Sequence, residues 1–503
     1  MKAKARWMAA LLCLALLPAL LGGCGKKTPD VPPQDNTADG GTQESTRNAF
    51  TEVCGEYDFG GREFRMAGVD WNLWEQYYDM RIDVAADSGD ELSQAIWSRN
   101  RAMESTLNIK LVYQPNEQWL FELSNYLQKC VMNGLNDFDT FLMIDRDAIT
   151  SAINGDIIAY DNLPTLDLSH SWWSEVNRDI SISGKYFFAY GNDSLHFLES
   201  VNALAFNKAM AESVGEDLYA KVTEKEWTIE EMFRVAALLA SENGDGIFND
   251  LDTYGFITEA DMFFPSLWQC AGFRTVEKDE ADTPLFAIPG NENFYTLMNR
   301  LYDKSYNDDL TLFQTLYSNA TNYNANAFGN YIAAGNVMFA DGHGLFRTVI
   351  LKDVPSIRSM DVSFGLLPYP LRDSTQESYI SRVYSGFPTV VPVFNTELAL
   401  TGTVLEALAC FADEIYMPVY YDRLLRGKMP DPESAQMLDI LFATRTMDLG
   451  DTLWYDYIRV RYQDAIAKDK VRDLASMTDI IRGGAEKIIR RCVENLTGTG
   501  GST

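Results

Sequence analysis

Residues 138–146 read FDTFLMIDR, an apolar run bounded by acidic residues. Such a run is typical of a short strand that is buried on both faces of a parallel sheet. Two strand–helix pairs are predicted before it from the spacing of apolar residues. They are a strand at 63–69, a helix at about 90–107, a strand at 109–113 and a helix at about 120–132. The order strand, helix, strand, helix, strand predicts a mostly parallel α/β sheet.

The later part of the chain repeats this alternation. Thr228 and Glu231 have the spacing of a capping box, so a helix is expected to begin there. Further strands are predicted at 186–189, 202–206, 335–340, 362–367 and 388–392. Further helices are predicted at 397–412, 431–446, 453–467 and 477–495. A chain of 503 residues is too long for one ordinary hydrophobic core, which predicts two to four domains.

The composition argues against two classes of partner. The chain has 42 Lys and Arg residues against 72 Asp and Glu residues, a net charge of −30. A surface this acidic repels the phosphates of nucleic acids and offers no basic patch to anionic lipids. We therefore expect no nucleic-acid partner and no membrane contact except through an anchor.

The N-terminus has the features of an export signal. Three basic residues in the first six positions precede an apolar run at 7–21. This run is short and interrupted by proline, so it is typical of a signal peptide and not of a spanning helix. Residues 1–23 are therefore predicted to be a signal peptide.

A lipid anchor is predicted directly after this signal. The sequence LGGC at 21–24 resembles a bacterial lipobox, which implies that Cys24 is acylated and becomes the first residue of the mature protein. Residues 24–54 are mostly polar, Pro or Gly and are expected to form a flexible tether. We expect the body to lie on the extracellular face of a bacterial cell membrane.

The remaining cysteines suggest no metal motif. They are widely spaced, without a CxxC pair or a Cys/His cluster in the sequence, which argues against a zinc site. We expect mostly reduced, buried thiols at Cys54, Cys130, Cys270, Cys410 and Cys492.

Several short motifs follow one another in an order that carries a resemblance. They are FDTFLMIDR (138–146), NALAFNK (202–208), WTIEE (227–231), GNVM (335–338) with GHGLF (342–346), GLLPYP (365–370) and LWY (453–455). In this order they resemble the family 1 extracellular solute-binding proteins of bacterial ABC importers, a family that includes the maltodextrin-binding proteins. Two details depart from the family pattern: no Pro precedes the Trp227 motif, and Phe346 replaces a Trp.

The resemblance implies a two-lobed, type II periplasmic-binding-protein-like α/β fold. Each lobe would be a mostly parallel sheet flanked by helices. Three crossover segments would join the lobes near 190–195, 347–361 and 412–418. Lobe one would then comprise 55–190 plus 360–412, lobe two 195–348 plus 415–495, and a disordered tail 496–503.

The function that the resemblance implies is capture of a carbohydrate, expected to be an oligosaccharide, in the cleft between the lobes. The lobes would close on the ligand by a hinge movement and present it to an ABC permease. The chain has no GxxxxGK[ST] motif, so a separate subunit would hydrolyse ATP. The protein would be a monomer without enzymatic activity.

A sugar site needs flat aromatic side chains beside groups that make paired hydrogen bonds. Such residues are expected at the strand ends where α/β sheets bind ligands. The candidates are Trp71, Trp74, Asp145, Arg146, Tyr190, Asn192, His343, Phe346, Trp454 and Tyr455. Second-rank candidates are Tyr384, Ser385, Gly386 and Phe387. Each aromatic residue is equally well explained by core packing.

One further stretch, at 241–252, approximates a twelve-residue calcium loop. Its oxygen donors would be Asn243, Asp245, Asn249 and Asp252. The first position is Ser and the last is Asp, which removes or shortens a carboxylate ligand. A polar turn is the alternative interpretation, and no other cofactor is expected.

Other functions stay open. A secreted glycan hydrolase could use a carboxylate pair, and the same fold could bind a peptide or a polyamine. The chain has no Gly-x-Ser-x-Gly and no His-Glu-x-x-His motif, and its three histidines suggest no catalytic triad. The sequence therefore favours a binding protein over an enzyme.

Overall fold

The computed structural model describes residues 50–75, 78–86, 89–118, 120–313 and 330–498. The predicted signal peptide, Cys24 and most of the predicted tether lie outside the described residues, as does most of the predicted tail.

Within the described residues the strands are β1 (Arg62–Val69), β2 (Ile109–Asn116), β3 (Thr140–Leu142), β4 (Ile157–Ile158), β5 (Asn202–Asn207), β6 (Tyr254–Thr258), β7 (Val276–Lys278), β8 (Pro284–Phe286), β9 (Thr311–Phe313), β10 (Gly344–Ile350), β11 (Phe364–Leu367), β12 (Ser381–Arg382), β13 (Thr389–Pro392) and β14 (Arg445–Thr446). The α-helices are α1 (50–54), α2 (Glu91–Leu107), α3 (Leu123–Met132), α4 (Asp145–Asn154), α5 (Asn177–Ile180), α6 (Leu195–Glu199), α7 (Lys208–Ser213), α8 (Leu218–Thr223), α9 (Ile229–Ala237), α10 (Ala260–Cys270), α11 (Glu292–Tyr302), α12 (Asn330–Ala340), α13 (Val354–Arg358), α14 (Leu398–Phe411), α15 (Pro432–Ala443), α16 (Arg459–Ala467) and α17 (Leu474–Thr497). Short 3₁₀ or π-helical segments lie at Trp71–Leu73, Tyr160–Asn162, Asp303–Asn307, Leu351–Asp353, Ala412–Tyr416, Pro418–Leu425 and Arg426–Lys428.

The first lobe is built on a five-stranded sheet with the order β2-β1-β3-β13-β4. Strand β1 pairs in parallel with β2 and β3, whereas β13 runs antiparallel to both of its neighbours. Phe64, Met66 and Phe141 bury their side chains completely in this sheet. Helix α2 begins at the N-cap Asp90, whose carboxylate accepts a hydrogen bond from the Ser93 amide.

The second lobe is built on a five-stranded sheet with the order β11-β5-β10-β6-β9. Strand β10 is parallel to β6, which is parallel to β9, whereas β5 runs antiparallel to β10 and β11. Every residue of β5 and β10 is buried, as expected for strands covered by helices on both faces. The two sheets confirm the predicted α/β class, with mostly parallel strands and one reversed strand in each sheet.

The second crossover lies later in the chain than predicted. We expected it at 347–361, with lobe one resuming at 360. This is wrong, because β10 extends to Ile350 and the following strand, β11, pairs with β5 of the second sheet. The chain returns to the first sheet only between β11 and β13.

Two predicted strands are also wrong. Residues 335–340 belong to helix α12, because a short apolar run does not distinguish a strand from a buried helix. Residues 186–189 form no strand: the Tyr186 amide donates to the Asp161 carboxylate, and its carbonyl accepts from the Tyr160 amide. The predicted start of α9 is confirmed, since the Thr228 hydroxyl accepts from the Glu231 amide at 3.3 Å.

In the part of the chain that the structure describes, no helix is both long enough and apolar enough to cross a membrane.

Candidate functional site

An acidic and a basic residue follow the carboxyl end of β3, the central strand of the first sheet. Asp145 is buried, and its Oδ1 accepts from the Arg146 amide at 2.8 Å. Its Oδ2 accepts from the Gly386 amide at 3.0 Å, in the segment that leads to β13. Burial raises the pKa of Asp145 to about 6, although both amides favour the charged form. Asp145 therefore holds the backbone of Arg146 in place, and its own carboxylate is too buried to contact a ligand.

The Arg146 guanidinium reaches across to the second lobe. Its Cζ lies 3.9 Å from the centre of the Phe121 ring and 4.9 Å from that of Tyr455. Tyr455 directly precedes α16, which packs on α10 of the second lobe. The guanidinium lies between these two rings, and no described residue accepts a hydrogen bond from it. This contact joins the two lobes.

Tyr455 is shared by a second arginine. Arg459, the first residue of α16 and four residues after Tyr455, has its Cζ 4.1 Å from the Tyr455 ring centre. Tyr78 and Tyr384 complete the group, which we call the cleft cluster: Tyr78, Arg146, Tyr384, Tyr455 and Arg459. Burial raises the pKa of Tyr78, while the charge of Arg146 and a hydrogen bond with Tyr384 lower it in part. The cluster thus presents guanidinium donors and phenol rings from both lobes.

A buried network of ion pairs holds Arg459 of the cleft cluster in place. Arg382 donates to both oxygens of Asp451, through Nε at 2.6 Å and Nη2 at 2.8 Å. Arg459 Nη1 donates to Asp451 at 3.1 Å, and Gln269 Nε2 donates at 2.7 Å. Burial alone would raise the pKa of Asp451, but Arg382 and Arg459 bring it below its ordinary value. The shared carboxylate orients Arg459 beneath Tyr455.

Two predicted ligand residues, Tyr190 and Asn192, make contacts within the protein. Tyr190 is fully buried, stacks on Phe197 at 4.4 Å, and lies 3.5 Å from Asp145 Oδ2 through its hydroxyl. A Cβ at Gly386 would overlap the Tyr190 ring, so this close packing requires glycine. Asn192 Nδ2 donates to Asp413 Oδ1 at 2.6 Å, which joins the segment before α6 to the segment after α14.

The three predicted tryptophans have different surroundings. Trp71 lines a cavity of about 950 Å³ beside the acidic residues Glu75, Asp79 and Asp83. Trp74 is half-buried against the core of the first lobe. Trp454 is buried, and its indole N–H has no acceptor among the described residues. Of the three, Trp454 adjoins the cleft cluster, next to Tyr455.

His343 and Phe346, two further predicted ligand residues, lie away from the cleft cluster. They were expected in a loop after a strand, but β10 begins only at Gly344. His343 therefore lies at the amino ends of β10 and β6, where its Nδ1 is 3.0 Å from the Asp252 carbonyl. Phe346 is fully buried and stacks on Phe256 at 5.3 Å. The cleft cluster lies at the opposite edge of the sheets.

Sequence reasoning missed Tyr78, Phe121 and Arg459. Tyr78 and Phe121 lie in irregular segments where no periodicity marks a ligand-facing side chain. Arg459 could have been found, because it follows Tyr455 by four residues and both would share one helix face.

The sequence has no matching family model and no matching curated protein. Solved structures do match it. A family 1 extracellular solute-binding protein from Bifidobacterium longum subsp. infantis is 12% identical, with a TM-score of 0.54 over 84% of this chain and 100% of its own. An ABC substrate-binding protein from Listeria monocytogenes in complex with cycloalternan is 12% identical, with a TM-score of 0.53 over 84% of this chain and 99% of its own. A cyclo/maltodextrin-binding protein complexed with maltotetraose is 11% identical, with a TM-score of 0.52 over 87% of this chain and 97% of its own.

The chain has the fold of a family 1 extracellular solute-binding protein. This confirms the two-lobed fold that the order of the motifs implied.

The predicted calcium loop is a compact turn in this solute-binding-protein fold. Asp252 Oδ1 accepts from the Asn243 amide at 2.8 Å, and Oδ2 accepts from the Asn249 amide at 2.6 Å. Asp245 Oδ1 accepts from the Ile247 amide at 2.8 Å. These hydrogen bonds account for the fold of the loop, and calcium binding stays a prediction.

Helix α6 of this solute-binding-protein fold ends in a buried acid. Glu199 ends α6, and Lys352 Nζ lies 3.6 Å from its Oε2. Burial raises the pKa of Glu199 from 4.5 to about 8. Asp79 also raises this pKa, while Lys352 and Arg81 lower it. Glu199 is therefore a carboxyl group that takes up a proton on folding at neutral pH.

Glu199→Gln is expected to remove a pH dependence of stability. An acid whose pKa is raised by folding contributes stability below its unfolded pKa, and this is lost as pH rises through the folded pKa. Relative to the variant, the wild-type free energy of unfolding should fall between pH 4.5 and about 8. The limiting slope for one proton is about 1.4 kcal/mol per pH unit. Urea unfolding of both proteins across this range measures the difference.

Glu231→Gln is the matched control for this experiment. A hydrogen bond from Arg234 lowers the pKa of Glu231 to about 2, so this acid titrates below the range tested. The Glu231→Gln difference should therefore be nearly flat. A flat difference for Glu199→Gln would contradict the prediction.

Proposed function

We propose that the protein binds a carbohydrate between its two lobes and delivers it to an ABC permease. The observation that carries this proposal is the Arg146–Tyr455 contact across the lobes, where the guanidinium has no hydrogen-bond acceptor among the described residues. Phenol rings can pack on the apolar faces of a sugar, while guanidinium groups donate paired hydrogen bonds to its oxygens. Closure of the lobes would bring both kinds of group onto one ligand.

Two of the matching structures support the ligand class, because their proteins were solved with cycloalternan and with maltotetraose. The three reported structures are of binding proteins, which supports a binding function over hydrolysis. We therefore place an oligosaccharide in the cleft and assign ATP hydrolysis to a separate subunit of the transporter.

Thermal unfolding of the purified protein against a panel of solutes tests this proposal. The panel contains mono- and oligosaccharides, peptides and polyamines. A ligand at a hundred times its Kd stabilises the folded state by about 2.7 kcal/mol, which should raise Tm by at least about one degree. We expect the shift with one class of oligosaccharide and no product after long incubation. A shift with peptides or polyamines alone would reject the carbohydrate assignment, and turnover of a glycan would reject the binding function.

We further propose that Cys24 carries a lipid that anchors the protein to the cell membrane. Stable anchoring needs more than one acyl chain, since a single chain binds only reversibly. Cys24→Ala should block incorporation of labelled palmitate and release the protein from the membrane fraction. Cys54→Ala is the control and should leave both properties unchanged. Continued labelling of Cys24→Ala would contradict this assignment.

A further inference from the structure

Three side chains of different chemistry meet in the first lobe, away from the cleft cluster. Cys54 ends helix α1, His170 lies in the segment between β4 and α5, and Glu406 lies in α14. One ligand atom from each, a thiol sulfur, a ring nitrogen and a carboxylate oxygen, lies within 4.8 Å of the others. No short sequence motif joins these positions, so the fold alone creates the cluster.

Glu406 is the fixed member of this cluster. Its side chain is fully buried, and Oε1 accepts from the indole nitrogens of Trp172 at 2.5 Å and Trp173 at 3.1 Å. Its Oε2 accepts from the Asp167 amide at 2.9 Å. Hydrogen bonds of this kind orient the carboxylate ligands of metal sites. The carboxylate therefore already has the support that a metal ligand needs.

His170 is aimed at the same carboxylate oxygen. Its Nδ1 lies 2.7 Å from Glu406 Oε1, and its ring packs 4.5 Å from that of Trp172. When a nitrogen and an oxygen each bind one Zn²⁺ at about 2.0–2.1 Å, the distance between these two atoms is somewhat longer than the one between Nδ1 and Oε1 here. A metal could replace the shared proton without moving either side chain far.

Cys54 supplies the third donor. No described residue forms a hydrogen bond with its sulfur. Burial, together with the carboxylates of Glu406 and Asp167, raises the pKa of the Cys54 thiol to about 12. A divalent cation would make a thiolate and a carboxylate favourable neighbours, with the thiol proton released to solvent.

We propose that Cys54, His170 and Glu406 bind one Zn²⁺ ion. Sulfur, imidazole nitrogen and carboxylate oxygen are together a zinc donor set, whereas Ca²⁺ and Mg²⁺ take oxygen ligands. Water would fill the fourth position, and the exposed Asp167 carboxylate, whose Oδ2 is 3.9 Å from His170 Nε2, would face the ring nitrogen that does not bind the ion. The ion would tie residues 50–54 to α14, the helix that leads into the third crossover.

Cobalt and zinc titrations of the purified full-length protein, kept reduced, test this site. Co²⁺ should bind with one equivalent per chain and give the near-ultraviolet charge-transfer band of a thiolate ligand, which Zn²⁺ then abolishes. Cys54→Ser should lack the band. His170→Ala should bind Zn²⁺ at least about 10–100-fold more weakly, since even loss of an outer-shell partner costs that much. The controls Cys130→Ser and His343→Ala remove a thiol and an imidazole elsewhere and should bind as the wild type does.

The result that would overturn the proposal is a wild-type protein without the thiolate band, or a Cys54→Ser variant that binds Zn²⁺ unchanged. Circular dichroism without metal shows that each variant is folded. The measurement needs no sugar, so its outcome is independent of the function proposed for the cleft.

Discussion

Arg382→Met is expected to lower the free energy of unfolding by about 3–5 kcal/mol, the cost of breaking a buried ion pair. The side chains of Arg382 and Asp451 are 1% and 0% exposed. Without Arg382, Asp451 would keep only Arg459 as a charged partner, and the Asn202 Oδ1 would lose a donor at 2.9 Å. Urea unfolding at neutral pH measures the loss.

The matched control is Arg426→Met, because Arg426 makes the same two-pronged contact with Asp439 at the surface. Its Nε and Nη2 donate to the two Asp439 oxygens at 2.9 and 3.0 Å, but both side chains are more than 40% exposed. An exposed pair contributes little to stability, because water screens the two charges. Equal losses in the two variants would show that burial of the Arg382–Asp451 pair is not what makes it important.

The first lobe could be predicted from the sequence because its elements are long and strongly patterned. The strand at 63–69, the helix at about 90–107 and the strand at 109–113 all appear in the structure within a few residues of the predicted bounds. The strand predicted at 335–340 was wrong for the opposite reason. Its apolar run is short and lacks a period, so only packing against β10 decides that it is a helix.

The candidate site was predictable where it follows a strand. Asp145 and Arg146 lie directly after β3, and the sheet edge places them at the cleft. Nothing in the sequence says that Asp145 points inward to the Gly386 amide while Arg146 points to Tyr455. Those directions depend on contacts between segments far apart in the chain.

The cluster of Cys54, His170 and Glu406 shows the same limit for metal sites. Sequence rules recognise zinc ligands that are closely spaced, and these three are not. Cys54 and Glu406 are brought together by the packing of α1 against α14, where the ring centres of Phe50 and Phe411 are 5.7 Å apart. A metal site assembled by tertiary contacts alone leaves no motif.

Arg146→Ala is expected to weaken binding of the oligosaccharide that stabilises the protein by about 10–100-fold. Hydrogen bonds from a charged donor contribute about 1.5–3 kcal/mol, and 1.4 kcal/mol is tenfold in affinity. Stability should change less than binding, because no described residue accepts a hydrogen bond from this guanidinium, although the variant loses two cation–π contacts and the positive charge that favours ionised Asp145. Isothermal titration calorimetry gives the affinity, and thermal unfolding without sugar gives the stability.

Two further variants show whether the loss of sugar affinity comes from the planar donors of Arg146, from its charge, or from the loss of any surface arginine. Arg146→Lys keeps the charge but loses the planar pair of donors, so it should bind more weakly than wild type and more tightly than Arg146→Ala. Arg178→Ala removes a surface arginine whose side chain is 79% exposed and should bind as the wild type does. If Arg146→Ala binds the sugar with unchanged affinity, the sugar does not contact the guanidinium that lies between Phe121 and Tyr455. The proposed binding site would then be wrong.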